Sequence, residues 1–251
     1  MGLLFGLYPE LDLRLAAIFY DPQVPGTWND SAWILKVLRD IARWIVALVA
    51  APAFIALIVK LIAPRRPMLI PGRAAVLMIA TLALAPGLLT NILLKDQWGR
   101  PRPIDVTEFG GTDRFVPWWD PRGGCPKNCS FVAGEPSGAF WTLAPALLTP
   151  PHWRALATGG ALAFGSGVGL LRMWGGGHFF SDVVFAGVFT FLVIWLVHGL
   201  LYRWRRTRTS DAAVDGMLER MIMSQRAALM RIRSGRRDPA SARTSEQQRK
   251  E

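Results

Sequence analysis

Three short stretches hold the residues best suited to chemistry: 95–103 (KDQWGRPRP), 130–138 (SFVAGEPSG) and 172–182 (RMWGGGHFFSD). Lys95 lies seven positions before Arg102-Pro103, Arg172 six before His178, and His178 four before Asp182. Two or three cations can hold the oxygens of a phosphate, and an imidazole can attack its phosphorus. A carboxylate one helical turn from the imidazole shares its face and can fix its tautomer. Gly175-Gly176-Gly177 lets the backbone turn sharply and approach a ligand just ahead of His178. Each stretch also has a plainer reading. His178 and Asp182 fit the start of a helix, where both can satisfy backbone groups. Lys95, Arg100 and Arg102 fit interfacial anchoring where a membrane helix ends. All three stretches in this order, each beside an apolar segment, point instead to one phosphate-handling site.

The segments that must position these residues are apolar and long. Half of the 251 residues are hydrophobic although the chain carries 29 Lys and Arg, and the mean hydropathy is +0.26. Charged and apolar residues therefore occupy different regions. Apolar runs at 44–62, 74–94, 155–171 and 179–201 are each near the roughly 20 residues that cross a bilayer. A shorter run, 139–148, reaches that length if extended to 134–150. The expected fold is an all-α integral-membrane bundle of five spans, with a sixth element possible at the N-terminus. The expected division is an N-terminal interfacial segment (1–43), a membrane core (44–202) and a basic cytoplasmic tail (203–251). Residues 28–43 carry apolar side chains at helical spacing opposite Lys36, Arg39, Asp40 and Arg43, as in a helix on the interface or leading into the next span.

Charge then orients the bundle. Arg65, Arg66, Arg73, His152, Arg154 and Arg203–Arg208 all fall on one side if each run crosses once, and the positive-inside rule makes that side the cytoplasm. The three motif stretches then share the outer face. The net charge of +11 sits mostly in the tail and these short loops, with no zinc-finger or RNA-binding signature, so nucleic acid is not an expected partner. The tail is expected to lie on anionic lipid, with an amphipathic helix over 211–233 and disorder over 234–251. Cys125 and Cys129, in the outer polar loop, are either free thiols or a local disulfide, and the outer placement favours the disulfide. Phe115, Trp118 and Trp119 in that loop read as an aromatic belt at headgroup level.

On these residues the chain resembles the type 2 phosphatidic acid phosphatase superfamily, integral-membrane lipid phosphatases with the motifs Lys-x6-Arg-Pro, Pro-Ser-Gly-His and Ser-Arg-x5-His-x3-Asp. Lys95, Arg102 and Pro103 fit the first motif in full. Arg172, His178 and Asp182 fit the third, with Leu171 in place of its serine. The middle motif departs. One register aligns Pro136-Ser137-Gly138 and leaves Ala139 at the histidine position. The other aligns 131–135 (FVAGE), keeps Gly134 and puts Glu135 there. The second keeps an acid where chemistry needs one; under the first, Ser137 can still donate to a phosphate oxygen.

The resemblance implies that Lys95, Arg102 and Arg172 clamp the phosphoryl group, that His178 attacks phosphorus and forms a phosphohistidine, and that Asp182 orients it. Glu135 would then protonate the departing lipid oxygen if burial raised its pKa. No metal or cofactor is expected, since cationic side chains neutralise the phosphate. SFVAGE and GGHFFSD are most similar to the bacterial lipid A phosphatase branch, which implies a phosphorylated lipid substrate, an inner-membrane location and a periplasmic site. Hydrolysis of undecaprenyl pyrophosphate or phosphatidylglycerol phosphate, phosphoryl transfer to a second lipid, and non-catalytic lipid-phosphate binding remain open from the residues alone.

Overall fold

A computed structural model of the chain describes residues 2–23, 28 and 32–235. Its elements are α1 (Gly2–Leu7), α2 (Glu10–Ala17), α3 (Ala32–Ile62), α4 (Gly72–Leu82), α5 (Gly134–Phe140), α6 (Leu143–Leu147), α7 (Pro151–Trp174), α8 (Phe180–His198) and α9 (Asp211–Gly235). Among the described residues, extended pairing is limited to isolated bridges at Tyr20 with Trp28 and Val106 with Asp113. The architecture is an all-α membrane bundle.

Three helical stretches are both long and apolar enough to cross a bilayer: Trp33–Ile62, Gly72–Leu94 and Phe180–Arg203. α7 is long enough by its 24 residues. Residues 134–150 fold as two short helices, α5 and α6, with Trp141 and Thr142 at the break. α3 crosses position 43 without interruption, so the amphipathic residues Lys36 to Arg43 lead directly into the span. Residues 236–251, expected to be disordered, lie outside the described residues.

Local chemistry explains the irregular places. α4 continues as a wider π-helical stretch, Ala83–Leu94, which contains Pro86. Proline has no N–H and crowds the preceding turn, so the regular ladder cannot run through it. Asn91 Nδ2 donates to the Pro86 carbonyl at 2.6 Å within this stretch. α7 opens on Pro151, where a missing N–H costs nothing.

The bundle centre forms around Trp141, which is fully buried with Ala53, Ala144 and Ile194. Its indole N–H donates to Thr81 Oγ1 at 2.9 Å, so the one polar atom of the ring is satisfied. Trp33, Leu48, Ile55 and Ile58 on α3, and Leu192, Trp195 and Leu196 on α8, are exposed. An apolar surface of that kind is suited to lipid rather than water.

The two ends of the bundle differ. At one end lie the exit of α4, the start of α5, the exit of α7 and the start of α8, which carry the motif residues. At the other, Lys60 pairs with Asp215 at 2.6 Å and Arg73 with Asp211 at 2.8 Å, fastening α9 to α3 and α4. The long loop after Lys95 folds over the motif end. It contains single 3-10 turns at Pro103–Asp105 and Thr107–Phe109, and Cys125 and Cys129 are joined as a disulfide. The aromatic-belt expectation needs correction. Phe115 packs edge-on against Phe179 at 5.3 Å and Trp118 against Phe185 at 4.3 Å, so both pin the loop onto α8. Trp119 alone of the three is exposed.

Candidate active site

His178 sits in the turn between α7 and α8, and its side chain is buried. Its Nδ1 lies 2.7 Å from the carbonyl oxygen of Ser130. A carbonyl only accepts, so this contact assigns the proton to Nδ1 and leaves the Nε2 lone pair free. The tautomer is thus set by backbone from the second motif stretch. Asp182, the expected orienting carboxylate, is 3.9 Å from Nδ1 and makes its hydrogen bonds elsewhere. It accepts from Ser130 Oγ at 2.5 Å and from the Phe179 N–H at 2.9 Å. Asp182 therefore holds the segment whose carbonyl holds His178.

Behind Asp182 lies a buried ionic knot that the sequence did not announce. Arg100 is fully buried. It donates to Asp182 Oδ1 at 2.5 Å, to Asp12 Oδ2 at 2.8 Å, to Ser181 Oγ at 2.8 Å and to the Val116 carbonyl at 2.9 Å. Its guanidinium also lies 4.4 Å from the centre of the Phe179 ring. Asp12 comes from α2 and further accepts the Ser181 N–H at 2.9 Å. The interfacial-anchor reading of Arg100 is thereby replaced: it ties the N-terminal helix and the long loop to the start of α8.

Lys95, Arg102 and Arg172 converge on His178. Burial chiefly, and then Arg172, Lys95 and Arg102 in that order, hold its pKa well below the ordinary imidazole value. The pKa of Lys95 is lowered too, first by burial and then by Arg102 and Arg172. Such mutual repulsion among cations is relieved by an anion placed between them. The buried Nε–H of Arg172 has no hydrogen-bond partner among the described residues, an unusual state for a buried donor. Arg102 is tethered through the Asn128 carbonyl at 2.7 Å.

Two glycines make room for this cluster. A Cβ on Gly177 would sit 2.5 Å from Arg172 Nη2, and one on Gly134 would sit 2.9 Å from Asn91 Oδ1 and 3.5 Å from Lys95 Nζ. Gly176, next to Gly177 in the turn, has φ of +61°, a conformation that favours glycine.

The residues of the second stretch part company. Glu135 faces the cations, with one oxygen 4.0 Å from Arg172 Nε. Ser137 faces away: its hydroxyl is buried and shared with Thr90 Oγ1 at 3.1 Å and Thr190 Oγ1 at 2.9 Å. The phosphate contact considered for Ser137 is therefore replaced by a tie between helices. Arg39 of α3 joins the site unannounced, as the partner of Glu135. Its signal in the sequence was only a charge on an amphipathic helix. Among the described residues no group of carboxylates, histidines and thiols suited to a metal ion is found.

The chain is similar to known proteins over most of its length. Residues 74–208 match the PAP2 superfamily. A protein of Francisella tularensis subsp. novicida (strain U112) named lipid A 4′-phosphatase is 38% identical over 205 residues, 79% of this chain and 90% of that one. Proteins of the same name from Rhizobium leguminosarum and Rhizobium etli are 37% and 35% identical over 133 residues, 53% of this chain and 57% and 52% of theirs. No solved structure matches.

Proposed function

This chain belongs to the PAP2 superfamily, and from that premise we propose that it removes a phosphate monoester from lipid A at the periplasmic face of a bacterial inner membrane. It is a membrane lipid phosphatase, a phosphoric monoester hydrolase. Lipid A as substrate is supported by the names of the similar proteins. The outward orientation is supported by the arginines gathered at the opposite end of the bundle and by the disulfide beside the site.

The observation that carries the mechanism is the Nδ1 contact of His178 with the Ser130 carbonyl, which leaves Nε2 unprotonated on a ring that three cations act upon. Lys95, Arg102 and Arg172 hold the phosphoryl oxygens and neutralise charge as it shifts in the transition state. Nε2 forms a bond to phosphorus as the bond to the lipid oxygen breaks, giving a phosphohistidine. Water then releases inorganic phosphate and restores the imidazole. Asp182 acts through Ser130 and the Phe179 N–H as a positioning residue.

The test is phosphate release by the detergent-solubilised protein from lipid A, undecaprenyl pyrophosphate and phosphatidylglycerol phosphate, with and without EDTA. The expected result is release from lipid A, unchanged by the chelator and abolished in His178→Ala. Normal turnover in His178→Ala overturns the nucleophile, and release from the other lipids alone overturns the substrate.

A further inference from the structure

In the register that keeps Gly134, Glu135 stands where the family motif has a histidine, and its surroundings suit a base. Both carboxylate oxygens are taken by one guanidinium: Arg39 Nε donates to Oε2 at 2.8 Å and Nη2 to Oε1 at 2.6 Å. A two-pronged arginine contact is the partner of an ionised carboxylate, and a proton on either oxygen would break one prong. Arg172 adds a second cation at 4.0 Å. A group that must donate a proton in the first chemical step would have to start protonated, against both arginines.

Glu135 and Arg39 also line a cavity of about 270 Å³ beside Lys95, with Asn91, Arg43 and Gly134 around them. Ala42, Val46, Ala139 and Val168 complete the wall, and the volume leaves room for water beside the Glu135 carboxylate. Arg39 reaches the site from α3, outside the residues that match the family, across 96 positions of sequence from Glu135.

We propose that Glu135 is the general base of the second half-reaction and that Arg39 is the positioning residue that keeps it ionised. This rests on the phosphohistidine reading above. The oxygen of a water in the cavity forms a bond to phosphorus. The bond between phosphorus and Nε2 breaks, and its electron pair returns to the ring. The water's proton passes to the Glu135 carboxylate and then to solvent as phosphate leaves. In the first half-reaction the departing lipid oxygen takes the proton carried by the phosphate monoester itself, whose second ionisation falls near pH ~6.

The experiment uses the full chain in detergent micelles with lipid A carrying a 32P phosphate ester, quenched in alkaline SDS so that a phosphohistidine survives. Glu135→Gln is expected to release about one equivalent of dephosphorylated lipid per enzyme in a burst, keep the label on protein, and turn over roughly 100-fold more slowly. Glu135→Ala should behave likewise and recover turnover with added formate. Arg39→Gln should slow the same step and move the acid limb of the steady-state rate to higher pH, and Arg39→Lys should restore part of both. Loss of the burst and of the label in Glu135→Gln overturns the proposal, because the carboxyl then acts before the phosphoenzyme forms. A wild-type rate in Arg39→Gln overturns the positioning role. Normal turnover in His178→Ala would instead sink the phosphohistidine reading, and the proposed base for its hydrolysis with it.

Discussion

His178 shows how much of a proposed nucleophile is visible in sequence and how much is not. Its spacing from Arg172 and Asp182 marks it as a nucleophile candidate, but the group that fixes its tautomer is a main-chain carbonyl at Ser130, 48 positions away, and main-chain atoms leave no mark in residue types. The same holds for Arg100, which reads as an interfacial anchor until the 88 positions that separate it from Asp12 are closed. Two predictions belong here. Because the folded-state pKa of His178 is lowered, its ring stays neutral as pH falls through the ordinary value of 6.5 and gains a proton only at lower pH. An NMR titration of the ring protons should show His178 unchanged across that value; a titration at or above it would remove the free Nε2 on which attack depends. Arg100→Ala should cost about 3–5 kcal/mol of stability, because it strands Asp182 and Asp12 as buried, unpaired carboxylates. Thermal melting in detergent reads the loss. Asp12→Asn removes the outer pair alone, and should leave more phosphate release than Arg100→Ala.

At the scale of elements, the apolar runs announced α3, α4, α7 and α8, because each must present enough non-polar surface to satisfy lipid. The run at 139–148 was less legible. Extended to 134–150 it contains Pro136 and Pro145, and that stretch folds as two short helices, α5 and α6, packed against α7. What lets α5 and α8 approach α7 is written in GSGVG, residues 165–169. A Cβ on Gly165 would fall 2.2 Å from Phe140, and one on Gly169 would fall 2.2 Å from Val183, whereas one on Gly167 meets nothing within 4 Å. Small residues at four-residue spacing allow this closeness in membrane helices. Gly165→Ala and Gly169→Ala should therefore each destabilise by about 1–3 kcal/mol through overpacking. Gly167→Ala should be neutral or stabilise by roughly 0.5–1 kcal/mol, since glycine inside a helix costs that much. Thermal melting of the three variants side by side separates packing from propensity. Equal effects at all three positions would contradict the close contacts. Both packed glycines precede Arg172 by less than two helical turns, so phosphate release should fall with them and hold in Gly167→Ala.

Across the whole molecule, the motif end and the basic end are chemically distinct, and that asymmetry gives the enzyme a direction in the membrane. Lys60 and Arg73 are bound by acidic residues of α9, so the tail helix seals the end opposite the motif residues. The other end is closed by a loop folded around the first motif: Cys125 N–H donates to the Gly99 carbonyl at 3.0 Å, Cys129 N–H to the Lys95 carbonyl at 3.0 Å, and Ser130 N–H to the Arg100 carbonyl at 2.8 Å. The disulfide thus lies on the strip of chain that carries both Lys95 and the Ser130 carbonyl, and it survives only where the compartment is oxidising. That links compartment to orientation in one measurement. The two cysteines are the only ones in the chain, so a maleimide that cannot cross membranes reports on this loop alone. In spheroplasts it should label the protein only after treatment with a reductant that also stays outside. Labelling that requires lysis would put the loop, and with it His178 and the three cations, in the cytoplasm. Labelling without reductant would leave the loop outside but remove the covalent tie, and the site would then rest on the Arg100 knot for its order. With the loop outside and oxidised, a lipid phosphate in the outer leaflet meets the nucleophile directly, and the released phosphate leaves into the periplasm without crossing the bundle.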